Sequence, residues 1–141
     1  MYKIAVAGTG YVGLVAGVCF AEVGHQVTCV DIDEKKVDLM KSGVSPIYEA
    51  DLENLMQKNY AGGRINYTTD YKLAYKDADA IFIGVGTPEQ ADGSANLSYI
   101  ATVAKQIAES VERDCLVVVK STVPIGTNDK VEQFIQDFLV N

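Results

Sequence analysis

The run Lys3–Ala7 (KIAVA) passes without a spacer into Gly8-Thr9-Gly10-Tyr11-Val12-Gly13, and a stretch of small apolar residues (LVAGVCFAEV) follows at once. A short apolar run, a glycine-rich turn and an apolar segment of helix length make a strand–turn–helix unit. Gly8 suits the tight turn. Gly10 leaves space above it, and Gly13 lets the helix lie close to the strand. A strand that leaves through such a turn into a helix points to a crossover and a parallel sheet.

The rest of the chain continues that alternation. Further strand-like runs are residues 26–31 (QVTCVD), 64–68 (RINYT), 80–85 (AIFIGV) and 115–120 (CLVVVK). The first, fourth and fifth runs are almost continuously apolar, as parallel strands are when helices cover both faces of the sheet. Between them, helices are predicted over residues 12–23, after Asp33 as a cap (carrying Val37 and Met40), and over 51–59 with Leu52, Leu55 and Met56 inward. Two more are predicted over 96–111 with Leu97, Ile100, Ala104, Ile107 and Val111 inward, and over 127–139 with Val131, Phe134, Ile135, Phe138 and Leu139 inward. The order is βαβ, a helical excursion, then βαβαβα. Right-handed crossovers turn it into an α/β, three-layer Rossmann fold, a doubly wound and mostly parallel sheet with strand order 3-2-1-4-5. At 141 residues the chain fits one domain, residues 1–141.

Composition narrows the function classes. The chain is 48% hydrophobic and 22% charged, which excludes disorder and coiled coil. A net charge of −7 argues against a nucleic-acid partner. No apolar window is long enough to span a membrane, and no charged leader precedes the first strand. The three cysteines, Cys19, Cys29 and Cys115, are odd in number, widely spaced and set in apolar runs. That is neither a disulfide framework nor a metal motif, so each is expected to be a buried core thiol in a reducing, cytoplasmic compartment. His25 is the single histidine. It falls in the turn at the sheet end away from the ligand loops, where a solvated role is expected rather than general-base work. No metal site is expected.

The glycine turn carries the chemistry. Its position at a helix N-terminus, where N–H groups lack helical partners, favours a pyrophosphate. Asp31 ends the second strand, 21 residues after Gly10. A carboxylate there accepts from the ribose hydroxyls of an adenosine and repels a 2′-phosphate, so NAD is expected over NADP. Lys36 is expected near the adenosine side. Two alternatives stand beside this reading: a tight turn that binds nothing, and Asp33 rather than Asp31 on the ribose, although Asp33 suits the helix cap better.

Five stretches in order, GTGYVG at 8–13, VDID at 30–33, SPIYEADLENL at 45–55, VGTPEQADGSANLSYI at 85–100 and VVKSTVPIGT at 118–127, resemble the UDP-glucose/GDP-mannose dehydrogenase family over nearly the whole chain. The resemblance implies oxidation of a nucleotide sugar, UDP-glucose foremost, from the C6 alcohol to the acid with two NAD, for polysaccharide biosynthesis. It implies NAD contacts from Tyr11, Val12, Asp31, Lys36, Thr87 and Thr122, and a part for Thr122 in placing a catalytic water. A threonine hydroxyl is too weak an acid to serve as the base, and a plain strand-end hydrogen bond is the other role open to it. Where the family has YEPGL, residues 48–52 read YEADL, so an earlier helix start is expected there, with Glu49 either at the substrate cleft or solvated. The family's nucleophilic cysteine, catalytic lysine, central helix, final strand of this domain and nucleotide-sugar domain have no counterpart in these residues. The chain is therefore expected to be the N-terminal, NAD-binding part of a longer enzyme, itself without activity, from a family of homodimers. A binding module without chemistry, or a dehydrogenase for a UDP-N-acetyl sugar or GDP-mannose, remains open. A hydroxyacid dehydrogenase fits the 85–88 and 119–124 stretches poorly.

Overall fold

The computed structural model describes residues 2–46, 51–84, 98–112 and 115–119. Five strands, β1 (Lys3–Ala7), β2 (Gln26–Val30), β3 (Ile65–Thr68), β4 (Ala80–Ile83) and β5 (Leu116–Val119), form one sheet in the order β3-β2-β1-β4-β5. Every pairing is parallel, with Val6 beside Cys29 on one side and Phe82 on the other. The helices are α1 (Tyr11–Val23), α2 (Glu34–Lys41), α3 (Leu52–Ala61), α4 (Tyr71–Lys76) and α5 (Ser98–Ser110). This is the doubly wound Rossmann architecture that the alternation predicts. The helix predicted over 127–139 lies outside the described residues.

Strand periodicity divides the apolar residues between two cores. Ile4, Val6, Val27, Cys29, Ile65 and Tyr67 face α1, α2 and α3, which supply Leu14, Val18, Val37, Met40, Leu52 and Met56. Ala5, Ala7, Val30, Ile81 and Ile83 face α4 and α5, which supply Tyr75, Ile100, Val103, Ala104 and Ile107. The chain therefore crosses from one face of the sheet to the other between β1 and β4. The crevice at their C-terminal ends is the switch point where open α/β sheets take ligands.

Close approach of α1 sets that crevice. A Cβ on Gly13 would stand 2.1 Å from the Gly8 carbonyl oxygen, and one on Gly17 would stand 2.9 Å from Cys29 Sγ. Just past β4, a Cβ on Gly84 would meet Gly13 Cα at 3.0 Å. Backbone therefore packs directly on backbone at the centre of the sheet.

Several expectations need correction. Cys19 is exposed, not buried. Only one side of α1 meets the sheet, so this uniformly apolar helix also turns Val12 and Val23 outward, at 45% and 77% exposure. Cys115 is half-buried, and Cys29 alone is a fully buried thiol, its burial pushing its pKa up to about 12. His25 is not simply solvated. Its Nδ1 accepts from the Tyr2 N–H at 3.2 Å, and its ring lies against Tyr2 and Phe20. The helix that the order places between the third and fourth strands, without residues assigned to it, is α4, capped by Asp70, which accepts from the Leu73 N–H.

The YEADL stretch differs from expectation too. α3 begins at Leu52, and Asp51 precedes it in the left-handed region at φ 61, with no side-chain cap bond. Asp51 thus holds a backbone form that a glycine, as in YEPGL, would take without strain. Aspartate tolerates that form better than most residues, but at a cost. Asp51→Gly is expected to raise stability by up to about 1 kcal/mol in urea denaturation.

Candidate functional site

The turn after β1 is drawn tight by three backbone bonds. Gly8 N–H donates to the Val30 carbonyl at 2.8 Å, Gly84 N–H to the Ala7 carbonyl at 2.8 Å, and Leu14 N–H to the Gly10 carbonyl at 2.9 Å. Gly8 takes φ 96, which only glycine adopts without strain. Gly10 is the N-cap of α1 and brings no side chain to its first N–H groups. A Cβ built on Gly10 meets nothing within 4 Å. The turn is thus a backbone cradle whose open side lies over Gly10.

Asp31 follows β2 directly, its N–H donating to the Thr68 carbonyl on the neighbouring strand. Its carboxylate is heavily used. Oδ2 accepts from the Thr9 N–H at 3.2 Å and the Thr9 hydroxyl at 2.5 Å, and Oδ1 accepts from the Asp33 N–H at 3.0 Å. Lys36 Nζ lies 3.5 Å from Oδ2. Burial pushes the Asp31 carboxyl up. The Thr9 hydroxyl, the Asp33 N–H, the charge of Lys36 and the Thr9 N–H outweigh it and hold the group below the ordinary range. Asp33 is the cap of α2, its Oδ1 accepting from the N–H groups of Lys35 and Lys36. Of the two carboxylates, Asp33 caps α2 and Asp31 is the one that lines the cleft.

These groups line a cleft of about 310 Å³. One wall is Ala7, Gly8, Thr9 and Gly10; a second is Val30, Asp31, Ile32 and Lys36. Gly84 just past β4, Tyr75 of α4 and Thr102, Val103 and Gln106 of α5 complete the lining. Ile32 is 89% exposed at the rim. Gly8, Gly10, Asp31 and Lys36 are thus brought together, with Gly13 directly behind the turn. Val12 is exposed on the first turn of α1, and the backbone of Tyr11 opens that helix. Thr87 and Thr122 lie outside the described residues, as does Glu49. Thr9, Ile32, Tyr75, Gly84 and the α5 trio join the site only in the folded chain. Gly84 had a signal, a glycine closing an apolar strand next to the switch point; Thr9 occupies a variable position of the glycine pattern and had none. Among the described residues no group of three or more His, Cys, Asp or Glu is placed to hold a metal ion, and no helix is long and apolar enough to cross a membrane.

A glycine cradle at a helix start, a carboxylate at the end of β2 and a cleft at the switch point define a dinucleotide-binding Rossmann domain. The chain belongs to the UDP-glucose/GDP-mannose dehydrogenase family: residues 2–139 match its NAD binding domain, and NAD is the cofactor of that domain. Among curated relatives, UDP-glucose 6-dehydrogenase YwqF of Bacillus subtilis is 56% identical over 137 residues, covering 97% of this chain and 31% of its own. Among solved structures, a ternary complex of GDP-mannose dehydrogenase from Pseudomonas aeruginosa matches with a TM-score of 0.93 and 41% identity, over 99% of this chain and 33% of that one. A UDP-glucose dehydrogenase from Pyrobaculum islandicum matches with a TM-score of 0.94 and 37% identity, over 99% and 33%. The chain thus spans about a third of the length of these relatives.

The Asp31 environment has a measurable consequence. Because the folded carboxyl titrates below its ordinary 3.8, its ionised form stabilises the fold above that value and the contribution is lost as pH falls through the folded value. Wild type is expected to melt above Asp31→Asn at pH 7, and the gap to close only below pH 3.8 in a series of thermal scans.

Proposed function

We propose that residues 1–141 act as the cofactor half of a nucleotide-sugar 6-dehydrogenase that oxidises UDP-glucose to the uronic acid with two NAD. The observation that carries the reading is the open space over Gly10, at the start of α1 and beside an ionised Asp31. A pyrophosphate fits there because the cradle offers N–H donors and no side chain. In this reading Gly8, Gly10 and Gly13 shape the cradle, and the N–H groups of Tyr11 and Val12 face the phosphates. Asp31 accepts from the adenosine ribose and disfavours a 2′-phosphate, while Lys36 balances the local charge. Thr87 and Thr122 complete the nicotinamide end, and Thr122 orients rather than transfers a proton. When bound, NAD supplies the hydride acceptor. The 56% identity to a UDP-glucose 6-dehydrogenase favours UDP-glucose as the substrate, against GDP-mannose or a UDP-N-acetyl sugar. The free cysteines fit a reducing, cytoplasmic setting.

The same reading assigns the thiol chemistry of the family elsewhere. None of Cys19, Cys29 and Cys115 is among the residues lining the cleft, and the Cys29 thiol is held protonated by burial. A thiol must ionise to attack an aldehyde. The purified chain mixed with NAD and UDP-glucose is expected to give no rise in absorbance at the NADH band; a steady rise would overturn this assignment.

Calorimetric titration with NAD tests the cofactor role. One NAD per chain is expected, weakened about tenfold or more by Asp31→Ala. Gly10→Ala is expected to leave the melting temperature unchanged, because its Cβ meets nothing, yet to abolish NAD uptake. Gly13→Ala is expected to lower stability by about 2 kcal/mol or more, because its Cβ meets a carbonyl oxygen. Absence of NAD uptake by the wild-type chain would overturn the cofactor half as a working unit.

A further inference from the structure

We propose that Thr9 is a positioning residue that sets which oxygen of Asp31 a dinucleotide meets, and so contributes to the choice of NAD over NADP. The inference rests on the cofactor reading above and adds a residue to it. The glycine pattern demands glycine at 8, 10 and 13 and leaves position 9 free, yet Thr9 is fully buried. A buried hydroxyl needs a partner, and this one has Asp31 Oδ2 at 2.5 Å. Because the carboxylate is ionised, the hydroxyl donates. The Thr9 N–H donates to the same oxygen at 3.2 Å, and Lys36 Nζ stands 3.5 Å from it.

The two carboxylate oxygens are therefore unequal. Each has about two acceptor positions. Both positions on Oδ2 are taken by Thr9, whereas Oδ1 carries only the Asp33 N–H at 3.0 Å. One acceptor position remains, on Oδ1. A ribose hydroxyl brings a proton to it. A 2′-phosphate brings only acceptor oxygens and negative charge, and a carboxylate pinned by Thr9 has no freedom to turn away from it. Without the Thr9 hydroxyl, Oδ2 regains an acceptor position and the carboxylate is left to the longer N–H bonds of Thr9 and Asp33 and to Lys36, so it is held less firmly and both the strength and the selectivity of the contact fall.

The test is a double-substitution cycle read by calorimetry with NAD and with NADP, on the full chain. Thr9→Val keeps the shape and removes the donor. It is expected to weaken NAD about tenfold, to narrow the NAD preference, and to be restored by Thr9→Ser. In an Asp31→Ala background the same substitution is expected to change nothing. Equal losses in both backgrounds, or unchanged NAD affinity in Thr9→Val, would overturn the proposal, since Thr9 would then act on the turn or not at all. Should Thr9→Val fail to fold, Thr9→Ala gives the same comparison. If the wild-type chain takes up no NAD, the cofactor reading fails, and Thr9 is judged separately by an NMR titration of the Asp31 carboxyl in the free chain. There Lys36 is the charged group facing it from α2 and is common to both proteins. A midpoint that rises in Thr9→Val upholds the lock, and an unmoved one overturns it.

Discussion

Backbone pressed on backbone governs this molecule. At the centre of the sheet, α1 runs so near β1 and β4 that Gly8, Gly13 and Gly84 meet without a side chain between them. An approach this close is open only to a residue without a Cβ, and glycine alone lacks one. The same contact fixes where α1 begins, and thereby where its unsatisfied N–H groups point. Stability and site geometry thus share one cause. The neighbouring Gly10 is different in kind, because its missing side chain serves empty space rather than packing.

The two cores on opposite faces follow from strand alternation, and they give the cleft its walls. Ala5 and Ala7 are the small residues of β1 on the side of α5, where Ile100, Ala104 and Ile107 come down onto the sheet. On the other side Val6 and Leu14 meet near the turn. A further set of bonds ties α1 to α3 and β3: Asn59, fully buried, donates to Glu22 at 2.9 Å and accepts from Arg64 Nε at 2.7 Å. A buried amide satisfied on both sides is a specific fastening rather than a generic contact. It holds the excursion after β2 against the body of the sheet.

Much of this was legible in the residues. The strand order, the Asp33 cap and the places of Gly8, Gly10 and Gly13 in the turn and of Asp31 beside it follow from local chemistry: turn geometry, periodicity and a carboxylate at a strand end. What the sequence hid depends on the third dimension. Whether Cys19 faces in or out cannot be read from a helix that is apolar all round. α4, only Tyr71–Lys76, holds too little periodicity for its bounds to be read, though the order calls for a helix there. Asp51 carries no mark of its positive φ apart from the glycine it replaces. Thr9 and Asp31 lie 22 residues apart, and only folding makes them one unit.

The pairing of Lys36 with Asp31 bears on how a ligand arrives. The chain carries a net charge of −7, and its field opposes any anion at long range. At the cleft itself, Lys36 stands 3.5 Å from the carboxylate and offsets part of its charge, so the long-range repulsion is felt mainly during approach. Mobile ions screen the first over about 10 Å at 0.1 M ionic strength and leave the short, partly buried pair nearly intact. Ionic strength therefore acts here as a gatekeeper of encounter: modest salt eases the approach of an anion, the reverse of its effect on proteins that attract anions from afar.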